Sequence, residues 1–433
     1  MGDSVFRRRV GAAAGTYLSV ALGFLGTVVA ARIFSTFTLG LFTLVIASTG
    51  FFQTLLDLTI EEALIKYGFR YIAREDWGRL HRLFRQVFWL KLVGAALAGL
   101  ALLGLAALAK PVFGHAELRL PLALGAAIPL LQSPEGMSAV PLMLRGRYDV
   151  RGGFLALSMA LRLTGIAVGA PHGLAAAVGG MVAAQAAASA AISFAGLTAF
   201  RRFPRTEPTP LGRAERREIF GFVVQSSIAT GVISLRTTLT PMLLGIVSTA
   251  TQVGYFRVAQ SPQSGFNAVS APVRMVLLTE QTRDWEGGRF GRVFAGVRRY
   301  TLLAALGSAA LVVPLLVFMP DIVRLLFESK NLGAVAAARI VVVAGVVQFV
   351  VGWSKSFAVT IGRPQWRTWT HAIETAVLLP LAIPFGWAWG ASGAALAVLV
   401  GSVAFALAWA VLFGRIRRET PDEAPVPEPL VPA

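Results

Sequence analysis

Arginines inside apolar segments are the first chemistry this sequence offers. Arg236 stands in Ser234-Leu-Arg-Thr-Thr238, about halfway along an apolar run, and Arg162 is equally central in another. A guanidinium at that depth needs an anion, and its planar fork fits phosphate or carboxylate oxygens two at a time. Arg236 is therefore the leading candidate to bind an anionic substrate group, while Arg162 either does the same or pairs with a carboxylate of the protein. Further along, Arg257, Gln260, Ser264, Asn267 and Arg274 recur at helical spacing, which at ~100° per residue forms one polar stripe. Thr49, Gln53, Asp57 and Glu61 follow one another every fourth residue. Such stripes either line a water-filled cleft or join helices through side-chain hydrogen bonds. The candidate cationic lining is thus Arg236, Arg257, Arg274 and Arg32, and the polar lining Gln53, Gln260, Ser264 and Asn267. Arg32, Arg257 and Arg274 lie near the ends of their apolar runs, where snorkelling to lipid headgroups is the alternative.

Three acids are candidates for coupling or gating. Asp57 and Glu61 fall at nearly the depth of Arg274, so either can pair with it as a gate, or instead pair locally with Lys66 or Arg70. Glu135 lies in Gln132-Ser-Pro-Glu-Gly-Met-Ser138, inside another long apolar run. Pro134 removes a helical hydrogen bond and is expected to bend the chain there. Glu135 is either an acid responsive to protons or cations or a structural partner for a buried base such as Arg162. No enzyme constellation accompanies these groups: HExxH, GxSxG and Walker motifs are absent, and the histidines (His81, His115, His172, His371) are scattered. Neither catalysis, cofactor nor metal is expected, and zero cysteines exclude disulfides and thiolate sites.

These residues must be carried by membrane helices. Of 433 residues, 55% are hydrophobic and 14% charged, with a mean hydropathy of +0.67, too little polarity to cover a soluble domain. At ~20 apolar residues per crossing, about twelve spans are expected: 10–31, 38–58, 87–109, 119–144, 152–170, 173–200, 219–247, 252–279, 297–319, 333–361, 367–385 and 389–413. Lys and Arg concentrate at both termini and in the even-numbered connections, which predicts that both termini are cytoplasmic in a multi-pass cytoplasmic-membrane protein. The net charge of +18 is then explained by basic loops facing anionic lipids, without nucleic acid as a partner.

The chain also matches itself at an offset of about 210 to 216 residues. Leu39-Gly-Leu-Phe42 matches Val253-Gly-Tyr-Phe256. Asp76-Trp77 with Arg79-Leu-His-Arg-Leu-Phe84 matches Asp284-Trp285 with Arg289-Phe-Gly-Arg-Val-Phe294. Gln132, Gly136, Ser138 and Gly146-Arg147 fall on Gln348, Gly352, Ser354 and Gly362-Arg363. Six spans per half, an even number, make the repeats parallel, with a cleft between them suited to alternating access. The division expected is a six-helix bundle over 1–200, a cytoplasmic linker over 201–218, a second six-helix bundle over 219–414 and a disordered tail over 415–433.

The pattern Ala31-Arg32-x-x-Ser-x-x-x-x-Gly40-x-Phe42, the amphipathic segment after the second span, Val253-Gly-Tyr-Phe-x-x-Ala259 and Gly390-Ala-Ser-Gly393-Ala-Ala resemble the O-antigen-type polysaccharide flippases of the multidrug/oligosaccharidyl-lipid/polysaccharide (MOP) exporter superfamily. The resemblance implies a MATE-like fold and translocation of an undecaprenyl-pyrophosphate-linked oligosaccharide for cell-surface polysaccharide synthesis. A polysaccharide polymerase and other assembly proteins are its implied partners. Cation-coupled drug antiporters of the same superfamily are the alternative, and an integral membrane glycan-assembly enzyme a weaker one.

Overall fold

In the computed structural model, residues 2–56, 60–263, 277, 280–363 and 365–420 are described. Among them the regular structure is helical: α1 (Gly2–Ile33), α2 (Thr36–Leu56), α3 (Ile60–Ala73), α4 (Trp77–Ala107), α5 (Ala109–Phe113), α6 (Arg119–Gly125), α7 (Ala127–Leu144), α8 (Tyr148–Gly169), α9 (Leu174–Phe200), α10 (Arg213–Val247), α11 (Ala250–Ala259), α12 (Phe290–Val317), α13 (Met319–Phe327), α14 (Val335–Val350), α15 (Ser354–Thr360) and α16 (Gln365–Glu419), with short 3-10 turns between some of them. It is an all-α polytopic membrane protein. Eight of the described helical stretches are long and apolar enough to cross a bilayer, or nine when the two parts of α10, bent by 43°, are taken together.

The twelve expected spans are not all continuous helices, and each exception has a local cause. The span expected over 119–144 is broken between α6 and α7, near Gly125, and α7 continues as a helix through Pro134. The span expected over 252–279 starts in α11 and then enters residues outside those described. Helix α16 is 55 residues long because it includes a reversal at Gly390, whose φ of 54° and ψ of −129° suit only glycine. A Cβ at Gly393 would come within 1.8 Å of the Phe385 carbonyl oxygen, eight residues earlier, a separation of ~12 Å in a straight helix. Gln252 secures the turn by accepting the Ala391 N–H at 2.9 Å.

The short helix α3 is amphipathic. Ile60, Ala63, Leu64, Tyr67 and Tyr71 are buried at helical spacing, while Lys66 and Arg70 are left outside. Helices α1, α2, α4 and α6 to α9 pack largely among themselves, as do α10, α12, α14 and α16; α2 crosses α10 and α11 to join the two sets. At that crossing the repeated glycines meet backbone. A Cβ at Gly40 would sit 1.7 Å from the Ala250 carbonyl oxygen, and one at Gly254 2.2 Å from that of Thr36. The largest apolar core surrounds it, built from Leu39, Phe42, Val253, Phe256, Ala338 and Val342. The second repeated glycine pair, Gly146 and Gly362, ends α7 and α15 with φ of 69° and 70°. The end of the molecule holding Arg70, Arg79, Arg147 and Arg213 is called the basic end below.

Candidate functional site: an arginine-lined cleft

A cavity of about 480 Å3 lies between α1, α2 and α8 on one side and α10 and α11 on the other. Arg162, Arg236, Arg257, Gln260 and Gln263 line it. Their three guanidiniums have different surroundings. Arg236 forms an ion pair with Glu374, a fully buried acid of α16. Glu374 also accepts hydrogen bonds from Gln348 Nε2 at 2.9 Å and engages His371 Nδ1 at 2.9 Å, and Gln348 donates in turn to Ser402 Oγ at 3.0 Å. Arg257 donates to Thr27 Oγ1 at 2.9 Å, a neutral partner on α1. Arg162 makes no hydrogen bond or ion pair among the described residues. Among the described residues the cleft lining is therefore cationic, and two of its arginines are not bound to carboxylates.

Two smaller cavities continue from Arg162 into the first helix set. One of about 110 Å3 touches Thr49, Gln53, Gln132, Arg162 and Gln185; the other, of about 180 Å3, touches Gln53, Glu61, Lys91, Gln132, Glu135 and Arg151. Glu135 accepts a hydrogen bond from Gln185 Nε2 at 2.8 Å, and Gln185 donates to Ser189 Oγ at 2.9 Å. Glu61 pairs with buried Lys91 at 3.2 Å and with Arg151 at 3.9 Å.

Polar contacts tie the two helix sets together beyond the cleft. At the basic end Arg70 donates through both Nη atoms to Glu218 at 3.1 and 3.0 Å, Tyr67 donates to Glu218 at 3.3 Å, and Tyr71 donates to Glu215 at 2.7 Å. The hydrogen bonds from Arg70 hold the Glu218 carboxyl below its ordinary range, while burial and the Glu215 hydrogen bond push the Tyr71 hydroxyl up. At the opposite end Arg32 donates to the carbonyls of Leu325 and Leu326, and Thr36 donates to Asn331 Oδ1 at 3.0 Å.

Several sequence expectations are corrected here. Arg32 is exposed and holds the end of α13 instead of lining the cleft, since its fork satisfies carbonyls that the helix end leaves open. Gln53 lines the two inner cavities, not the central one. Glu61 pairs with Lys91 and Arg151 within its own helix set, and Glu135 meets Gln185, not Arg162. Arg236, the leading candidate to bind a substrate anion, lines the cleft and is paired with Glu374. Arg257 and Gln260 do line the cleft. Asp57, Ser264, Asn267 and Arg274 lie outside the described residues.

The model of the family described as polysaccharide biosynthesis protein matches residues 12–278. The chain belongs to that family. No individual curated protein matches it significantly by sequence. Among solved structures, this polysaccharide biosynthesis protein is similar to the lipid II flippase MurJ in an inward closed conformation, with a TM-score of 0.73 and 12% identity over 94% of this chain and 90% of that one. It is also similar to an inward-facing multidrug resistance MATE family transporter of the MOP superfamily, with a TM-score of 0.69 and 14% identity over 92% and 94%. A mutant of the Vibrio cholerae MATE transporter VcmN gives 0.60 and 15% over 96% and 97%. At these identities the likeness concerns the fold, which is MATE-like.

The buried acid that sequence reasoning missed is Glu374, the partner of Arg236. An acid three residues after His371, leading into the apolar Thr375-Ala-Val-Leu-Leu379, was the available signal, since intramembrane acids call for a partner.

Proposed function

We propose that this protein is a flippase that moves a lipid-linked, pyrophosphate-bearing oligosaccharide across the cytoplasmic membrane by alternating access. The observation that carries this reading is the pair Arg162 and Arg257 at one cleft, neither bound to a carboxylate among the described residues. A pyrophosphate is prohibitively expensive to place in hydrocarbon. Two guanidiniums in a confined, low-dielectric cleft replace its water with bidentate hydrogen bonds, while the lipid tail stays in the bilayer. In this proposal the basic end and both termini face the cytoplasm, so cargo enters at that end when the contacts between α3 and α10 part. It leaves at the other end when those around Arg32 and Asn331 part. A polysaccharide polymerase then consumes the glycan outside. With no nucleotide-binding motif in the sequence, transport draws on an ion gradient, the membrane potential or removal of product.

Glu135 favours a second reading. An acid with a neutral amide partner, bordering a cavity that continues toward the cleft, suits a cation-coupled antiporter as well as an ion-driven flippase. Leaflet-resolved labelling of lipid-linked oligosaccharide in a deletion strain separates the two. Complementation with the wild type restores outer-leaflet label and Arg162→Ala does not; a wild type that restores none would sink the flippase assignment, and full restoration by Arg162→Ala would remove Arg162 from the binding site.

A further inference from the structure

A second concavity lies outside the cleft, where α10 leaves the linker and packs against α3 and α4. Its volume is about 500 Å3, its walls are apolar apart from Gln86, and Arg213, Arg216 and Arg217 stand along it. The first turns of α10 sort their side chains by face. Glu215, Glu218 and Phe222, at i, i+3 and i+7, turn toward α3, where they meet Tyr71, Arg70 and, at 4.2 Å from the Phe222 ring, Lys66. Arg213, Arg216, Arg217 and Phe220, at i, i+3, i+4 and i+7, form the opposite stripe and face the groove.

The two acids that could neutralise those arginines are thus engaged elsewhere. Among the described residues Arg213, Arg216 and Arg217 make no ion pair, and all three are exposed. Directly beneath them the groove is floored by Leu83, Val87 and Leu90 of α4, a stripe at i, i+4 and i+7 that runs away from the basic end. Phe220 and Leu90 keep 65% and 43% of their surface open. Three adjacent positive charges over an apolar furrow match the two ends of a single amphiphile: a negative headgroup at the start of the helix and a hydrocarbon chain leading into the bilayer. A zwitterionic headgroup leaves that charge uncompensated.

We propose that this groove binds one anionic glycerophospholipid, with its phosphate on Arg213, Arg216 and Arg217 and an acyl chain along Leu83, Val87 and Leu90. The site spans the joint between α3 and α4 of one helix set and α10 of the other, so the bound lipid favours the arrangement in which these helices touch. It does not depend on what the cleft carries. It rests on the proposed orientation only in placing the lipid in the cytoplasmic leaflet.

Native mass spectrometry of the full-length protein, released from nanodiscs of phosphatidylethanolamine and phosphatidylglycerol, tests it. Wild type retains one phosphatidylglycerol per chain. Arg213→Gln/Arg216→Gln/Arg217→Gln weakens that retention by on the order of tenfold or more, and the corresponding triple lysine variant keeps most of it, which also shows that the altered chain folds. Arg201→Gln/Arg202→Gln/Arg205→Gln removes the same charge from the linker outside the groove and leaves retention intact. Leu90→Trp keeps every charge but fills the furrow and lowers retention. The proposal is overturned by wild type retaining no phosphatidylglycerol, by equal loss in the linker variant, which marks diffuse surface attraction, by unchanged retention in Leu90→Trp, or by displacement with equimolar undecaprenyl phosphate, which makes a polyprenyl phosphate the occupant.

Discussion

Glu135 with Arg162 in the first helix set can be compared with Glu374 and Arg236 in the second, and the two sets treat acid and arginine oppositely. In the second set Arg236 and Glu374 are joined, and His371 and Gln348 complete the carboxylate's shell. In the first set Glu135 and Arg162 are kept apart. Glu135 turns to Gln185 and a cavity of about 180 Å3, and Arg162 turns to the cleft. The neutral framework is nonetheless similar, an amide resting on a serine in both: Gln185 on Ser189, Gln348 on Ser402. A joined pair in low dielectric cancels its own field and serves packing, whereas separated charges remain able to bind something that comes and goes.

The sharpest way to break this contrast is to remove Glu374. Glu374→Leu leaves the Arg236 guanidinium buried without its counter-charge and is expected to destabilise the protein by ~3–5 kcal/mol, read as a large drop in thermal unfolding temperature in detergent. Arg236→Met/Glu374→Leu should recover most of the loss. If the single variant is as stable as wild type, the joined pair is not structural.

Arg162→Ala comes next. With no partner to strand among the described residues, its stability should stay within about 0.5 kcal/mol of wild type, while the proposed transport of lipid-linked oligosaccharide is lost. A stable, fully active Arg162→Ala protein would remove the distinction between the two arginines.

Glu135→Gln should cost about 1 kcal/mol or less, because the amide replaces one hydrogen-bonded group by another. Transport that persists but no longer responds to an imposed ion gradient would sharpen the comparison by making Glu135 the working acid. Unchanged gradient dependence would return it to packing.

The smallest effect belongs to the exposed pair. The hydrogen bonds from Arg70 hold the Glu218 carboxyl below its ordinary range, so the contact contributes fully above that range and fades as pH falls through the lowered value. The difference in thermal stability between wild type and Arg70→Gln should therefore be small near pH 7, shrink further in high salt, and vanish in strong acid. A difference that grew on acidification would contradict the assignment.

What was legible in the sequence depended on how local its cause was. Apolar run length is enough to establish an all-α polytopic protein, and the recurring Leu39-Gly-Leu-Phe42 and Val253-Gly-Tyr-Phe256 mark segments that meet at the central crossing. Helical spacing placed Arg257 and Gln260 on one polar stripe and left open whether that stripe lines a cleft, joins helices or reaches headgroups; the cleft lining is seen only in the fold. The partner of Arg236 did not, because Glu374 lies 138 residues away and no periodicity connects positions on different helices. Arg32 misled for a related reason: a lone arginine at a span end has the same local signature whether it faces a cleft or caps a neighbouring helix. Gln53 shares its stripe with Thr49, but depth, not angular position, places it in the inner cavities.

The glycine crossing has a mechanical consequence. With Gly40 and Gly254 lying against carbonyl oxygens, α2 and α11 touch backbone to backbone at a fulcrum. From Gly40 to Leu56 the helix extends sixteen residues, about 24 Å, so each roughly 10° of tilt about the crossing carries its far end roughly 4 Å. That lever motion exceeds the 3.0 Å reach of the Arg70 to Glu218 contact, while the residues beside the fulcrum scarcely move. A modest rock is thus enough to unlatch one end of the molecule with its central seam still closed.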